Sequence, residues 1–160
     1  MHIDALSTNL IYLLTFFILL GESGVFFLFF LPGDSLLFAL GLLANQGTIS
    51  LWYIIPLLIV AAIAGNMLGY WMGTKMRQGL LTGKKYLPKV KPEHMERAER
   101  FYTKYGIYAV FFARFVPVVR TIVPFFAGVV AMRKRVFSLW SVVGGIVWIS
   151  VVITVGFFFG

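Results

Sequence analysis

Residues 113–128, ARFVPVVRTIVPFFAG, decide the fold, because they place two arginines and two prolines in a stretch otherwise apolar enough for a membrane span. An arginine at the centre of a lipid-facing helix costs about 2.5–3.5 kcal/mol on insertion scales, and an interior proline removes a backbone hydrogen bond. Irregular backbone at membrane depth is tolerated where protein or a wet cavity surrounds it. The stretch therefore predicts a re-entrant hairpin over residues 105–131, with breaks at Pro117 and Pro124.

The composition of the whole chain predicts an integral membrane protein. Of its 160 residues, 60% are hydrophobic and only 12% are charged, which is more apolar surface than one water-soluble core could bury. The formal net charge is +8, and in a membrane chain basic residues mark the cytoplasmic side and anionic headgroups, so we expect no nucleic-acid partner. The first apolar segment lacks a basic n-region and a cleavage site, which predicts a retained helix over residues 5–21 and no signal peptide.

Two further apolar segments complete one predicted membrane domain that takes in residues 1–160. Residues 51–76 are long enough to span, since about 20 helical residues cross a hydrocarbon core of ~30 Å. Residues 136–160 form a second predicted span. No anchoring residue follows it, so we expect that the chain is truncated and lacks a final helix.

Two interrupted or polar segments lie between these apolar ones. The motif LPGD breaks residues 22–45 near their middle, and we expect a first re-entrant hairpin there with its break at Pro32 and Gly33. Residues 77–104 form a basic segment containing an amphipathic helix, which begins at Pro92 and, by the glycine rule for helix ends, stops at Gly106.

The distribution of basic residues predicts the side from which each hairpin enters. Residues 75–104 hold nine Lys or Arg, and Arg133, Lys134 and Arg135 follow the second hairpin. If residues 105–131 crossed the membrane, these two basic segments would lie on opposite sides, against the positive-inside bias. We therefore expect both to be cytoplasmic, and the first hairpin to enter from the other face. The fold class is an all-α membrane protein in which spanning helices accompany two opposed hairpins in an inverted repeat.

Four charged residues fall in the predicted hairpins: Glu22, Asp34, Arg114 and Arg120. One interpretation is structural, namely ion pairs that lock the hairpins together. The other is a transport site, in which guanidinium forks bind an anionic phosphate and partly desolvated carboxylates take up protons or supply counter-charge. Pro117, midway between the arginines, lets the chain turn and bring both into one pocket.

The remaining motifs predict packing rather than chemistry. Gly65, Gly69 and Gly73 recur every four residues, so one face of their helix can approach another helix closely. Asn66, beside that face, is expected to form an interhelical hydrogen bond. Serine and threonine residues near the charges lack a neighbouring histidine base, and no metal-ligand cluster or cofactor fingerprint occurs. We expect no enzyme, no metal and no cofactor.

Three motifs in this order make the chain resemble the DedA family, also described through the VTT or SNARE-associated domain. They are GESGVFFLFFLPGDSLL (21–37), AGNMLGYWMG (64–73) and FFARFVPVVRTIVPFFAG (111–128). The resemblance implies functional roles for an acid before the first hairpin, an Asp within it and two Arg in the second, which are Glu22, Asp34, Arg114 and Arg120 here. The chain departs from the family at its C-terminus, where members usually continue into another helix.

The resemblance also implies a function in lipid movement. It predicts a flippase of the bacterial cytoplasmic membrane that returns undecaprenyl phosphate to the cytoplasmic leaflet. The carboxylates near the arginines suggest coupling to protons, with sodium as the other candidate ion. Three alternatives stay open: a non-selective phospholipid scramblase, a proton- or sodium-coupled antiporter of small ions, and a structural membrane component without transport. Formation of a homo-oligomer is equally left open.

Overall fold

The part of the chain that is described is mostly helical. The computed structural model describes residues 5–24, 33–81 and 92–160, and within these ranges no strand occurs. The elements in chain order are α1 (Ala5–Gly24), α2 (Gly33–Asn45), α3 (Leu51–Leu81), α4 (Pro92–Phe112), a 3₁₀ turn (Ala113–Phe115), α5 (Pro117–Val129) and α6 (Lys134–Phe159). The predicted all-α class is therefore confirmed.

Three of the described helices are long and apolar enough to cross a membrane: Leu6–Gly24 of α1, Leu51–Leu80 of α3 and Lys134–Phe159 of α6. The helices α2 and α5 have 13 residues each, which at 1.5 Å per residue gives about 20 Å, less than the ~30 Å hydrocarbon core. The outer surface suits lipid, since large apolar side chains such as Leu6 and Trp52 are exposed on it.

Glycines let these helices approach each other closely. A Cβ added to Gly65 would collide with the end of α1, and one added to Gly73 would collide with the backbone of α5. Gly69 faces Pro124 of α5. The predicted glycine face of α3 thus packs against two helices, and the same kind of contact joins α2 to α6 through Gly41 and Gly156.

Hydrogen bonds join neighbouring helices at both ends of the molecule. At one end the Arg77 guanidinium donates to the Glu99 carboxylate and to the Val129 carbonyl at 3.1 Å, which joins α3, α4 and α5. At the other end the Asn45 amide donates to the Phe157 carbonyl at 2.6 Å, which joins α2 to α6. Val129 is the last residue of α5, and α6 begins shortly after it at Lys134. The basic residues near the C-terminal end of α3 therefore lie at the same end of the molecule as those at the start of α6.

Two glycines that we expected to end helices do not end them. The first helix continues past Gly21 to Gly24, so Glu22 belongs to α1 and not to the first hairpin loop. The amphipathic helix begins at Pro92 as predicted, but it continues through Gly106 to the phenylalanine at 112. An interior glycine costs only about 1 kcal/mol relative to alanine, and packing against neighbours outweighs that cost. Gly106 is buried and faces the Met132 side chain.

The predicted break at Pro124 is also wrong, because α5 continues through this residue to Val129. The helix breaks earlier instead, at Val116, whose backbone is extended (φ −118°, ψ 110°) and directly precedes Pro117. Proline is well tolerated at the first helical position, where its missing N–H has no intrahelical partner to lose. Of the two prolines in residues 117–124, Pro117 thus lies at a helix break and Pro124 does not. The third helix reaches Leu81, five residues beyond its predicted end at 76.

Candidate functional site

Arg120 is the centre of a buried ionic cluster. Its side chain is 7% exposed, and its two terminal nitrogens donate to two carboxylates from different segments: Nη2 to Glu22 Oε1, and Nη1 to Asp34 Oδ1 at 2.5 Å. Glu22 comes from the end of α1, Asp34 from the first turn of α2, and Arg120 from the first turn of α5. The cluster therefore ties together three segments that the sequence separates by up to 98 residues.

An aromatic ring covers one face of the same guanidinium. The Arg120 Cζ lies 4.5 Å from the centroid of the Trp148 ring, and Trp148 is itself buried in α6. A guanidinium over a tryptophan face is attracted by the ring quadrupole, and more strongly when both groups are desolvated. Arg120 is thus held along its edge by carboxylates and on its face by an uncharged ring.

The two carboxylates differ in their surroundings. The Glu22 side chain is 2% exposed, whereas that of Asp34 is 41% exposed. The second oxygen of Glu22, Oε2, is buried without a hydrogen-bond partner among the described residues, and it lies against Gly33, where any Cβ would overlap the carboxylate. The glycine that begins α2 is therefore needed for the close approach of Glu22.

Arg114 is buried as well, but it binds neutral groups. It lies in the 3₁₀ turn, 4% exposed, and its Nη2 donates to the Ser141 carbonyl at 3.0 Å and to the Ser141 hydroxyl at 3.1 Å. The Asn66 amide donates to the same hydroxyl at 2.6 Å, as expected for an interhelical hydrogen bond. Gly144 and Gly145 of α6 leave room for the guanidinium, since a Cβ on either would lie 3.3 Å from Arg114 atoms. Within the described ranges Arg114 forms no ion pair.

Both arginines line one small cavity. Its volume is about 10 Å³, and Asn66 lies in its wall with Arg114 and Arg120. A cavity of roughly 10–15 Å³ holds about one water molecule, so no phosphate group fits while the cluster is in this arrangement. Among the described residues, no group of three or more His, Cys, Asp or Glu could hold a metal ion.

The chain matches known membrane proteins over nearly its whole length. The VTT domain matches residues 31–158. Protein DedA of Escherichia coli K12 is 34% identical over 172 aligned residues, which cover 100% of this chain and 77% of that protein. The chain belongs to the DedA family.

Two further relatives carry membrane names. The inner membrane protein YqjA of E. coli K12 is 31% identical over 95% of this chain and 69% of its own length. An uncharacterized membrane protein of Mycobacterium leprae is 36% identical over 91% of this chain and 65% of its own length. No solved structure matches the chain significantly. Together with the three apolar helices, these names support a multi-pass membrane protein.

In this DedA-family chain, the four charges predicted to meet do so only in part. Asp34, Arg114 and Arg120 fall within the matched VTT domain, and Glu22 precedes it. Arg120 binds both acids, whereas Arg114 shares the cavity but not the acids. The predicted break at Pro32 lies outside the described residues.

Sequence reasoning missed the contribution of α6. Ser141, Gly144 and Gly145 lie against Arg114, and Trp148 lies over Arg120. Their spacing of three, four and seven residues places them on one face of the helix. That spacing of small and aromatic residues in SVVGGIVW was the available signal, but without the fold nothing connected it to arginines that precede it by 27 and 28 residues.

Proposed function

We propose that this chain transports a phosphate-bearing lipid across the bacterial cytoplasmic membrane, with undecaprenyl phosphate as the substrate. The observation that carries the proposal is the buried Arg120, whose two terminal nitrogens donate to two carboxylates. Guanidinium forks match phosphate oxygens in the same bidentate way as carboxylate oxygens. A phosphate can therefore take the positions that Glu22 and Asp34 hold in this arrangement.

Helix lengths support the second re-entrant hairpin. Beyond Lys104, α4 exposes apolar side chains such as Tyr108 and Phe112. This part has eight residues, or about 12 Å at 1.5 Å per residue, less than half of the ~30 Å core. The chain then breaks at Val116, and α5 returns to the Arg77 end. Arg114 and Arg120 thus flank a turn near mid-membrane.

The first half of the chain supports a matching hairpin from the other side. The end of α1 packs through Gly24 on Gly65, near the middle of α3. The described chain resumes at Gly33, and α2 leads from there to Asn45 at the opposite end of the molecule. Glu22 thus lies near the end of α1 and Asp34 near the start of α2, as Arg114 and Arg120 lie on either side of the break at Val116.

Exchanged helix contacts support an inverted repeat. The α2 helix of the first half packs on α6 of the second half, and α5 of the second half packs on α3 of the first. Gly128 of α5 lies against Tyr70 and Thr74, and Gly41 of α2 lies against Ile153 and Phe157. These two pairs occupy the same positions along their helices, 19 and 23 residues after the first residues of α3 and α6.

The positive-inside rule supports a cytoplasmic location for the end that contains Arg77 and residues 133–135. In this orientation the second hairpin enters from the cytoplasm. Glu22 and Asp34 then act as counter-charges to Arg120 when no phosphate is bound, or exchange protons as the phosphate enters and leaves. Sodium is the other candidate coupling ion.

A reconstituted transport assay tests the proposal. Proteoliposomes would carry fluorescent undecaprenyl phosphate in one leaflet, and movement would be followed with and without an imposed pH gradient. We expect lipid movement that the gradient accelerates, and at least a tenfold loss in Arg120→Lys, which keeps the charge but loses the fork.

Arg100→Lys is the matched control. Arg100 is exposed and pairs with Glu96 one helical turn away, so its replacement should leave transport unchanged. Gradient-independent movement of many phospholipids would instead favour a scramblase. Ion flux without lipid movement would favour an antiporter, and full activity in Arg120→Lys would contradict headgroup binding by Arg120.

A further inference from the structure

One face of α6 contacts both buried arginines through uncharged residues. Ser141, Gly144, Gly145 and Trp148 form this face, which we call the arginine stripe. Ser141 and Trp148 lie seven residues apart, or about 10 Å along the helix axis. The stripe therefore extends along α6 past both arginines, which line one cavity.

The contact between Trp148 and Arg120 involves a part of the guanidinium that an anion does not need. Carboxylates occupy the edge of the group through Nη1 and Nη2. The indole ring covers its face, 4.5 Å from the central carbon. Since phosphate also binds guanidinium along the edge, the ring contact is compatible with carboxylates, with phosphate, and with the exchange between them.

The contact between Ser141 and Arg114 has the same character. The two oxygens of Ser141 accept hydrogen bonds from Nη2 of Arg114. Gly144 and Gly145 have no side chain that could compete for the other guanidinium nitrogens. Ser141 is fully buried in α6 and further fixed by the Asn66 amide. The stripe thus holds two cations by groups whose own charge never changes.

We propose that Trp148 is a positioning residue of the transport site, which keeps the Arg120 guanidinium in place while its anionic partners exchange. This inference rests on the proposed lipid-phosphate transport. Carboxylates that must release Arg120 during each cycle cannot also hold it throughout. A buried aromatic face can, because cation–π attraction requires neither a proton nor a counter-ion.

Trp148→Phe and Trp148→Leu test the proposal as a pair, because phenylalanine keeps an aromatic face and leucine does not. Initial rates of fluorescent undecaprenyl phosphate movement would be measured against its mole fraction in proteoliposomes, giving an apparent KM and a maximal rate. We expect the leucine variant to raise KM roughly 2- to 30-fold, the range that corresponds to loss of a cation–π contact. The phenylalanine variant should retain most of the affinity.

Trp140→Leu is the matched control, since Trp140 belongs to the same helix and packs against the Phe111 ring. Its apparent KM should stay at the wild-type value. Thermal unfolding of all variants separates folding from positioning, because loss of indole volume destabilises both Trp148 variants whereas only leucine should raise KM.

The outcomes separate this inference from the function on which it rests. Equal KM values in the phenylalanine and leucine variants, with transport intact in the wild type, would overturn the positioning role alone. A wild-type protein that moves no lipid phosphate would overturn the proposed function and the positioning role with it.

Discussion

Glu22→Gln should destabilise the protein far more than Asp34→Asn, although both acids bind Arg120. Removing one partner of a buried ion pair costs about 3–5 kcal/mol, and we expect about 3 kcal/mol for the 2%-exposed Glu22, because Asp34 still compensates Arg120 in part. The Asp34 side chain is 41% exposed; we expect water to reach it and to screen its pair, so the expected cost is about 1 kcal/mol or less. In Glu22→Gln the new side-chain amide also brings its N–H groups toward Gly33, the first residue of α2, where the helix dipole disfavours hydrogen-bond donors.

Reversible unfolding in mixed micelles, by titration with a denaturing detergent, measures both free energies of unfolding. Glu96→Gln provides the baseline, because its pair with Arg100 is largely exposed and its loss should change stability by about 0.5 kcal/mol or less. Equal losses for Glu22→Gln and Asp34→Asn would refute the reasoning, since burial would then not set the strength of the two ion pairs.

Three further predictions concern one glycine beside the site, one glycine between two helices and one ion pair between two helices. Gly33→Ala should cost about 1–3 kcal/mol as overpacking and lower transport, because the new methyl group overlaps the Glu22 carboxylate; unfolding and transport assays on one preparation check both. Gly128→Ala should cost a similar 1–3 kcal/mol in the unfolding assay, because its Cβ meets the α3 backbone, and wild-type stability would contradict this close packing. A double-mutant cycle on Arg77 and Glu99 should give a coupling of about 0.2–1 kcal/mol, since the pair is partly exposed; zero coupling would mean that it does not join α3 to α4.

Local sequence predicted the features whose cause is local or electrostatic. Proline fixes its own backbone angle, so the break before Pro117 could be read from the sequence. Buried charges need partners, so a meeting of Arg120 with acids was expected although 98 residues separate it from Glu22. The cost of an isolated charge in a membrane is large enough to predict contacts across the whole chain.

Features set by packing could not be predicted in the same way. Gly106 was expected to end a helix, but in the fold it provides space for the Met132 side chain. A glycine in a sequence is compatible with either role. One interpretation of the sequence paired Arg114 with an acid. Arg114 binds Ser141 instead, because the paired glycines of α6 place a backbone carbonyl and a hydroxyl within its reach. Such neutral partners leave no charge pattern in the sequence.

The difference in burial between the two acids suggests how a phosphate would reach Arg120. The cavity of about 10 Å³ is too small for a phosphate, so binding requires that a carboxylate leaves first. Separating Asp34 from Arg120 should cost less free energy, because the Asp34 side chain is already 41% exposed. Separating Glu22 would leave a desolvated charge in the interior. Replacement of one anion by another also keeps the charge around Arg120 balanced. We therefore expect Asp34 to be the first carboxylate that gives way to the lipid phosphate, while Trp148 keeps its contact with the face of the Arg120 guanidinium.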